Sequence, residues 1–289
     1  MATGKVILVT GSTEGIGKAT VLELARRGWR VFATGRNPKK LEALDAAAKE
    51  NGVALETLVL EVTSAESIAA ARAEVLKRTD GRGVDALVNN AGYAETGTVA
   101  GLTPERLRAQ LETNVVGLQA VTRAFLPEMM ARRDGRIVNV SSIAGRTSMP
   151  LLGAYHASKY AVEGLSDALR MEVAGEGIRV VLIEPGAIKT RFNDTAMSGL
   201  GKVVETEPHH GAAIRRLREV ESRILRTGAR PEVVARTIAR AVGARCPKAR
   251  YVTPLAARFI IRLGLWTPTR LYDLFFRILL RWLGRGGKA

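Results

Sequence analysis

Cysteine is nearly absent from this chain of 289 residues: Cys246 is the only one. A disulfide framework is therefore excluded, and a cysteine-based metal site is disfavoured. That usage fits a reducing compartment. Long apolar runs are missing too, and no uncharged stretch approaches the ~20 residues of a membrane-spanning helix. Near the start, Lys5 is followed at once by Val6, Ile7, Leu8 and Val9. That is a strand pattern rather than the apolar core of an export signal. A cytoplasmic location is expected. Histidine is scarce, and the adjacent pair His209-His210 cannot share one helix face and has no Cys or His nearby. It reads as a solvated loop, and no metal is expected. Acids are also few, with 28 Asp+Glu against 44 Lys+Arg and a net charge of +16. Such a balance points to nucleic acid, anionic membrane or anionic ligands. With only five tyrosines and no recognised nucleic-acid motif, no nucleic-acid partner is expected. From Arg245 onward ten Lys/Arg face the single acid Asp273, so the tail holds an excess of nine.

What is present reads as one large α/β domain. Apolar residues make up 46% of the chain, and the length suits one such domain but is marginal for two. The pattern predicts strands over 6–10, 29–34, 54–62, 86–89, 136–141 and 179–184. Helical spacing falls between them, over 15–27, 38–51, 64–79, 104–132 and 155–174. Such alternation predicts a doubly wound, Rossmann-type parallel sheet covered on both faces. After Pro185-Gly186 it breaks down. Residues 188–230 are polar and irregular, with some helical pattern over 214–225, and 231–242 is helical again. Residues 251–283 form a distinct apolar and basic segment. The expected organisation is a catalytic domain over 1–245, with a substrate lid at 191–230, and a basic amphipathic helical extension over 246–289.

The first strand runs directly into Thr10-Gly11-Ser12-Thr13-Glu14-Gly15-Ile16-Gly17 and then a helix. Glycine permits a positive φ and close backbone approach. The helix N-terminus offers unpaired N–H groups and partial positive charge to a pyrophosphate. The second strand ends in Ala33-Thr34-Gly35-Arg36-Asn37, and no acid occurs between Glu23 and Glu42. A site for NAD(H) places Asp or Glu there to bind the ribose hydroxyls. Arg36 is instead placed to meet a 2′-phosphate with a forked donor, with Thr34 adding a hydroxyl. NADP(H) is the expected cofactor.

A strand ending in Ser141-Ser142 is followed, thirteen residues beyond Ser142, by Tyr155, and then by Lys159. Tyr155 and Lys159 stand at i and i+4 and share one helix face. Carbonyl reduction needs a hydride, a proton for the oxygen, and a group that holds that oxygen. A free phenol has a pKa of ~10. A nearby ammonium and an oxidised nicotinamide favour the phenolate and lower that value. Tyr155 is thus expected as general acid in reduction and general base in oxidation. Ser142 would hydrogen-bond the substrate oxygen, with Ser141 as the alternative donor.

The spacing Gly-x-x-x-Gly-x-Gly after Thr10 resembles the short-chain dehydrogenase/reductase family, in its classical branch. The resemblance runs from about Lys5 to Thr190. It implies that Gly11, Ser12, Thr13, Gly15, Ile16 and Gly17 cradle the dinucleotide, with Glu61-Val62, where the family has Asp-Val, reading the adenine edge. It further implies that Asn89, Ala91 and Gly92 shape the cofactor floor, and that Lys159 binds the nicotinamide ribose as well as lowering the Tyr155 pKa. Asn114 would distort its helix and hold a water contacting Lys159, completing a proton relay. Pro185, Gly186 and Ile188 would lie beside the nicotinamide and Thr190 at the pyrophosphate. Helices bearing Asn114 and Tyr155 would join copies into a dimer or tetramer.

Along the tail, Arg270, Asp273, Arg277 and Arg281 fall on one helical stripe, opposite Leu271, Phe275, Ile278, Leu279 and Trp282. That is a basic amphipathic helix with a wide apolar arc. Over 251–285 it can contact an anionic membrane, at the inner face, cap the protein's own pocket, or meet a second copy. The membrane reading makes the substrate lipophilic: a steroid-, retinoid- or long-chain-like carbonyl. The rival from another class is a catalytically silent NADPH-binding regulator, against which the intact Ser142, Tyr155 and Lys159 argue.

Overall fold

A computed structural model describes residues 4–190, 192 and 228–285. The chain begins as a strand, β1 (Val6–Val9), whose four residues are all buried. α1 (Gly15–Arg26), β2 (Arg30–Gly35), α2 (Pro38–Glu50), β3 (Glu56–Val59), α3 (Ala65–Arg78) and β4 (Ala86–Asn89) follow in strict alternation. Next come α4 (Pro104–Leu111), a π-helical turn (Glu112–Val116), α5 (Gly117–Arg132), β5 (Gly135–Val140), α6 (Gly153–Glu172) and β6 (Ile178–Pro185). The C-terminal part holds α7 (Pro231–Gly243), β7 (Arg250–Thr253), α8 (Ala257–Trp266) and α9 (Thr269–Arg285).

All strands are parallel, in the order β3-β2-β1-β4-β5-β6-β7. Side chains alternate between the two faces. Ile7 and Val9 join Val31, Val88 and Val138 beneath α1 and α7, with Leu24 and Ile238. Leu8 joins Phe32, Leu87 and Ile137 beneath α3 and α5, with Val75 and Phe125. Leu8, Leu87 and Ile137 are wholly buried, and each such burial contributes about 1.5–3 kcal/mol. The expected Rossmann-type sheet is present. β1 pairs with β2 on one side and β4 on the other, so the winding reverses beside it. Ligands of such sheets bind in the crevice at the strand C-termini at that point.

Three elements differ from the sequence expectation. The helix expected over 104–132 is interrupted by the π turn, centred on Asn114. The strand expected over 54–62 is only Glu56–Val59. β7 was not expected at all, yet it pairs with β6 from Leu182↔Arg250 to Pro185↔Thr253. The sheet therefore runs past the boundary placed at 245/246, and two helices alone form the extension. A four-residue strand opening on an arginine and followed by Pro254 carries little pattern of its own. Arg136 ties this end together, since its guanidinium reaches the carbonyls of Ala241, Val242 and Ala244 at 2.6–2.7 Å. Those carbonyls lie at the C-terminus of α7, where a cation is favoured. The helical pattern at 214–225, the pair His209-His210 and most of the expected lid lie outside the described residues.

Candidate active site and dinucleotide cleft

The glycine turn is closed by contact. Gly11 has φ +64°, and a Cβ there would stand 2.8 Å from the Ala91 Cα. A Cβ on Gly17 would stand 2.2 Å from the Gly11 carbonyl oxygen. The Thr10 hydroxyl accepts from the backbone N–H of Asn90 at 2.9 Å and of Ala91 at 3.0 Å. The Asn90 amide donates back to the carbonyls of Thr10 and Gly11, at 3.0 and 2.9 Å. Asn90 therefore locks the turn, a role the sequence reading did not single out. Its neighbour Asn89 faces the interior and donates to Thr122 Oγ1 and Asn139 Oδ1, at 2.8 and 2.9 Å. Its side chain holds β4 to α5 and β5 and does not face the cleft.

Other side chains of the turn also point inward. The buried Ser12 hydroxyl donates to the Thr34 carbonyl at 2.9 Å. The Thr34 hydroxyl donates to the Val9 carbonyl at 3.0 Å and is fully buried. Thr34 thus adds no hydroxyl to a 2′-phosphate, correcting the expectation. Thr13 packs on Gly35, and Ile16 packs on the core. A Cβ on Gly15 would meet Thr190 at 3.3 Å, so the exit of β6 meets the glycine turn.

The α1 N-terminus has no acid in its first turn and no side-chain cap, which leaves its field open to an anion. At the end of β2, Arg36 is 81% exposed and 3.7 Å from Glu61. Glu61 accepts from the Thr63 hydroxyl at 3.1 Å, and Val62 is buried. Arg36, Asn37, Pro38 and Lys39 line a surface cleft. A turn a Cβ would fill, an uncapped helix end and an exposed guanidinium with no acid on its strand together fit a dinucleotide.

At the next crevice, β5 runs into Ser141-Ser142 and α6 carries Tyr155 and Lys159. Ser142 accepts from the Ala144 N–H at 3.1 Å and donates to the Pro185 carbonyl at 3.4 Å. Its side chain also lies beside the Tyr155 phenol and favours the ionised form. Lys159 donates to the Val140 carbonyl at 2.8 Å, and its Nζ stands 5.8 Å from the Tyr155 ring centroid. The Phe192 ring lies 5.6 Å from that of Tyr155. Ser141 is buried beneath Gly145, which sets it aside as the alternative donor. Beyond Pro185, the Gly186 N–H donates to the Thr253 carbonyl at 2.8 Å. Ile188 is buried and bridges to Ala229.

Burial dominates the electrostatics. It pushes the Tyr155 phenol up to about 12, opposed by the Ser142 side chain. It pushes Lys159 down to about 8, opposed by Glu163. The protein's own groups alone do not make the phenol acidic; the expectation joined the ammonium to an oxidised nicotinamide. The ammonium donates to a carbonyl rather than to the phenol, and desolvation of a phenolate outweighs the hydroxyl.

Asn114 is buried, and both its amide protons are engaged, on the Tyr93 carbonyl at 2.9 Å and Ser158 Oγ at 3.0 Å. Its oxygen accepts from the Tyr93 N–H at 3.1 Å. Gly92 fits against it, since a Cβ there would stand 2.9 Å from Asn114 Oδ1. Buried Gln110 clamps the same turn through the Tyr93 carbonyl at 2.9 Å and the Glu95 N–H at 2.6 Å. His156 bridges the Ser142–Tyr155 loop, with Nδ1 2.8 Å from the Ala144 carbonyl and Nε2 accepting from the Met149 N–H at 3.0 Å. Sequence alone assigned no role to Gln110 or His156. Buried polar side chains were the signal, but their partners lie elsewhere in the chain. Among the described residues no group of three or more His, Cys, Asp or Glu is placed to hold a metal ion.

The short chain dehydrogenase model matches residues 5–200. The chain is 33% identical to a 3-ketodihydrosphingosine reductase of Bacteroides thetaiotaomicron, over 95% of its own length and 97% of that protein. It is 36% identical to an NADPH-dependent 3-dehydrocapnine reductase of Ornithobacterium rhinotracheale, over 93% and 95%. The structure of a single-residue variant of the actinorhodin polyketide ketoreductase with NADPH superposes with a TM-score of 0.75 at 31% identity, over 88% and 97%. The fold and its crevice are those of dinucleotide-binding oxidoreductases. The chain belongs to the short-chain dehydrogenase/reductase family.

Proposed function

We propose that this oxidoreductase uses NADP(H) to interconvert a lipophilic ketone or aldehyde and its alcohol, through Ser142, Tyr155 and Lys159, with Asn114 in support. The observation that carries the reading is the meeting of the Ser142 hydroxyl, the Tyr155 phenol and the Lys159 ammonium in one crevice, beside the glycine turn. Arg36 supports the phosphorylated cofactor, as do the NADPH dependence of the 3-dehydrocapnine reductase relative and the NADPH bound to the polyketide ketoreductase neighbour. Both relatives described above are named as reductases, which favours the carbonyl as substrate.

When bound, NADPH supplies the hydride. Gly11, Gly15 and Gly17 would admit its phosphates, and Arg36 would meet the 2′-phosphate. Tyr155 gives its proton to the substrate oxygen, and burial keeps that proton in place until the oxygen turns basic. Ser142 donates to the same oxygen as charge develops. Lys159 places a positive charge beneath the phenol and stabilises the phenolate left behind. Asn114, with no free amide proton, acts as a positioning residue that fixes the Tyr93 turn and Ser158. The helices carrying Asn114 and Tyr155 expose Val116, Tyr160 and Leu165, which supports a homo-oligomer through that face.

The test is oxidation of NADPH, followed optically, against ketones and aldehydes of graded chain length and ring number. Turnover rising with apolar size, and NADPH preferred over NADH, is the expected outcome. No turnover of any carbonyl, with NADPH still bound, would instead identify a silent NADPH-binding regulator.

A further inference from the structure

We infer that the α8–α9 hairpin is a docking surface for anionic lipid and holds the Ser142–Tyr155 loop at the membrane it binds. The apolar arc of α9 is split in the structure. Tyr272, Phe276 and Leu279, at i, i+4 and i+7, are only partly exposed, and Tyr272 reaches the Ser148 carbonyl on the body of the protein. Leu271, Leu274, Phe275 and Ile278 form a second stripe, 44–59% exposed. α8 repeats the division. Ala257 and Ile261 are buried, whereas Phe259, Leu263 and Trp266 stand 72%, 59% and 84% exposed. Continuous open apolar surface of this kind marks an interaction site.

The inner stripes account for capping the protein's own loops, and the outer stripes remain. Charge decides what fits them. Arg258, Arg262, Arg270 and Arg277 are exposed beside the apolar stripes, and Asp273 is the only acid. A second copy would bring two such cationic faces together, whereas anionic headgroups complement both the arginines and the apolar stripes. No described helix is long and apolar enough to cross a membrane, so the hairpin lies on the surface.

The hairpin is bolted to the crevice. Tyr272 donates its hydroxyl proton to the Ser148 carbonyl at 2.7 Å. Gly264 packs so closely on Thr147 that a Cβ would stand 2.4 Å from its methyl carbon. Ala257 packs on Gly186 in the same way, at 2.8 Å. Thr147 and Ser148 belong to the loop between Ser142 and Tyr155, and Gly186 follows the Ser142 partner Pro185. Docking would therefore set the substrate side of the crevice at the lipid surface. The inference does not depend on the hydride-transfer reading, because its readout is lipid binding.

The experiment is co-sedimentation of the full chain with vesicles of phosphatidylglycerol and phosphatidylcholine, or of phosphatidylcholine alone, at low and high salt. At least tenfold tighter binding to the anionic vesicles, weakened by salt, is expected. Phe259→Ser with Leu263→Ser, and separately Arg258→Glu with Arg262→Glu, should each weaken it about tenfold while leaving the melting temperature unchanged. Failure to bind anionic vesicles, equal binding to neutral ones, or binding indifferent to both double variants would overturn the inference. So would a dimer in sedimentation velocity that the Phe259/Leu263 variant dissociates while lipid is ignored.

Discussion

Arg250 on β7 reaches across the sheet edge to Glu163 on α6, at 3.1 Å, one helical turn beyond Lys159. The same guanidinium meets Glu184 at 3.2 Å and Asp167 at 2.5 Å, and Glu184 also takes Arg146 at 3.2 Å. Arg170 completes the set by pairing with Asp167. Within this cluster Glu163 is nearly buried, and its Oε1 has no hydrogen-bond partner. Its negative charge favours the Lys159 ammonium against burial, which pulls that group down to about 8. Glu163→Gln removes the support, so Lys159 loses its proton at lower pH. The alkaline limb of the kcat profile should then move to lower pH, with activity at pH 8 falling about threefold to tenfold, since a unit of pKa is tenfold in protonation. A variant whose activity falls equally at every pH would make Glu163 a merely structural residue.

Tyr155→Phe tests the assignment of the proton. The ring stays and the hydroxyl goes, so carbonyl reduction should drop by about 10²–10⁴-fold, the range for losing a positioned general acid. Binding of NADPH, read by its fluorescence, should change little, because the glycine turn and Arg36 are untouched. Turnover at the normal rate in this variant would sink the mechanism.

The parts legible in sequence are those set by local chemistry. Strand–helix alternation gave the sheet, because each strand is a short apolar run between helical stretches. The glycine turn was legible because no other residue fits at Gly11 or Gly17. Asn114 was marked as a distortion within a helical pattern, and the π turn lies there. What was not legible depends on pairing between distant segments. Arg250 reads as one more basic residue of the tail until β7 docks on β6 and brings it to Glu163. Asn89 and Asn90 look alike in sequence, yet pleating sends one into the core and the other to the glycine turn. Thr34 reads as a free hydroxyl at a strand end, but Val9 on the next strand takes it. The acidic phenol was expected from a neighbouring ammonium and an oxidised nicotinamide acting together, and among the protein's own groups burial of Tyr155 outweighs the polar contacts.

Arg36 carries the cofactor preference. It is mostly exposed, and its ion pair with Glu61 is long at 3.7 Å, so little of its charge is committed within the protein. Arg36→Ala should raise KM for NADPH about tenfold to a hundredfold, the worth of a charge-assisted hydrogen bond of about 1.5–3 kcal/mol. KM for NADH should move by less than about twofold, because that ligand has no 2′-phosphate. Steady-state kinetics with both cofactors decides it, and equal loss with the two would show that Arg36 does not read the phosphate.

His156 makes the fold sensitive to acid. Its Nε2 accepts from Met149, so Nδ1 carries the proton that the Ala144 carbonyl receives, and the ring sits neutral in this loop. Burial lowers its pKa below the ordinary 6.5, outweighing the backbone hydrogen bonds. In the unfolded chain the same ring takes a proton near pH 6.5. The folded state refuses that proton, so its stability is fully present above pH 6.5 and declines as pH falls below it. His156→Gln cannot titrate and keeps at most part of the bridge. At pH 7 it should be less stable by about 1–2 kcal/mol, the usual cost of a lost buried hydrogen bond. Between pH 7 and pH 5, however, its urea midpoint should fall less than that of the unaltered protein. Parallel declines in the two proteins would mean that other groups, not this imidazole, set the acid sensitivity of the loop.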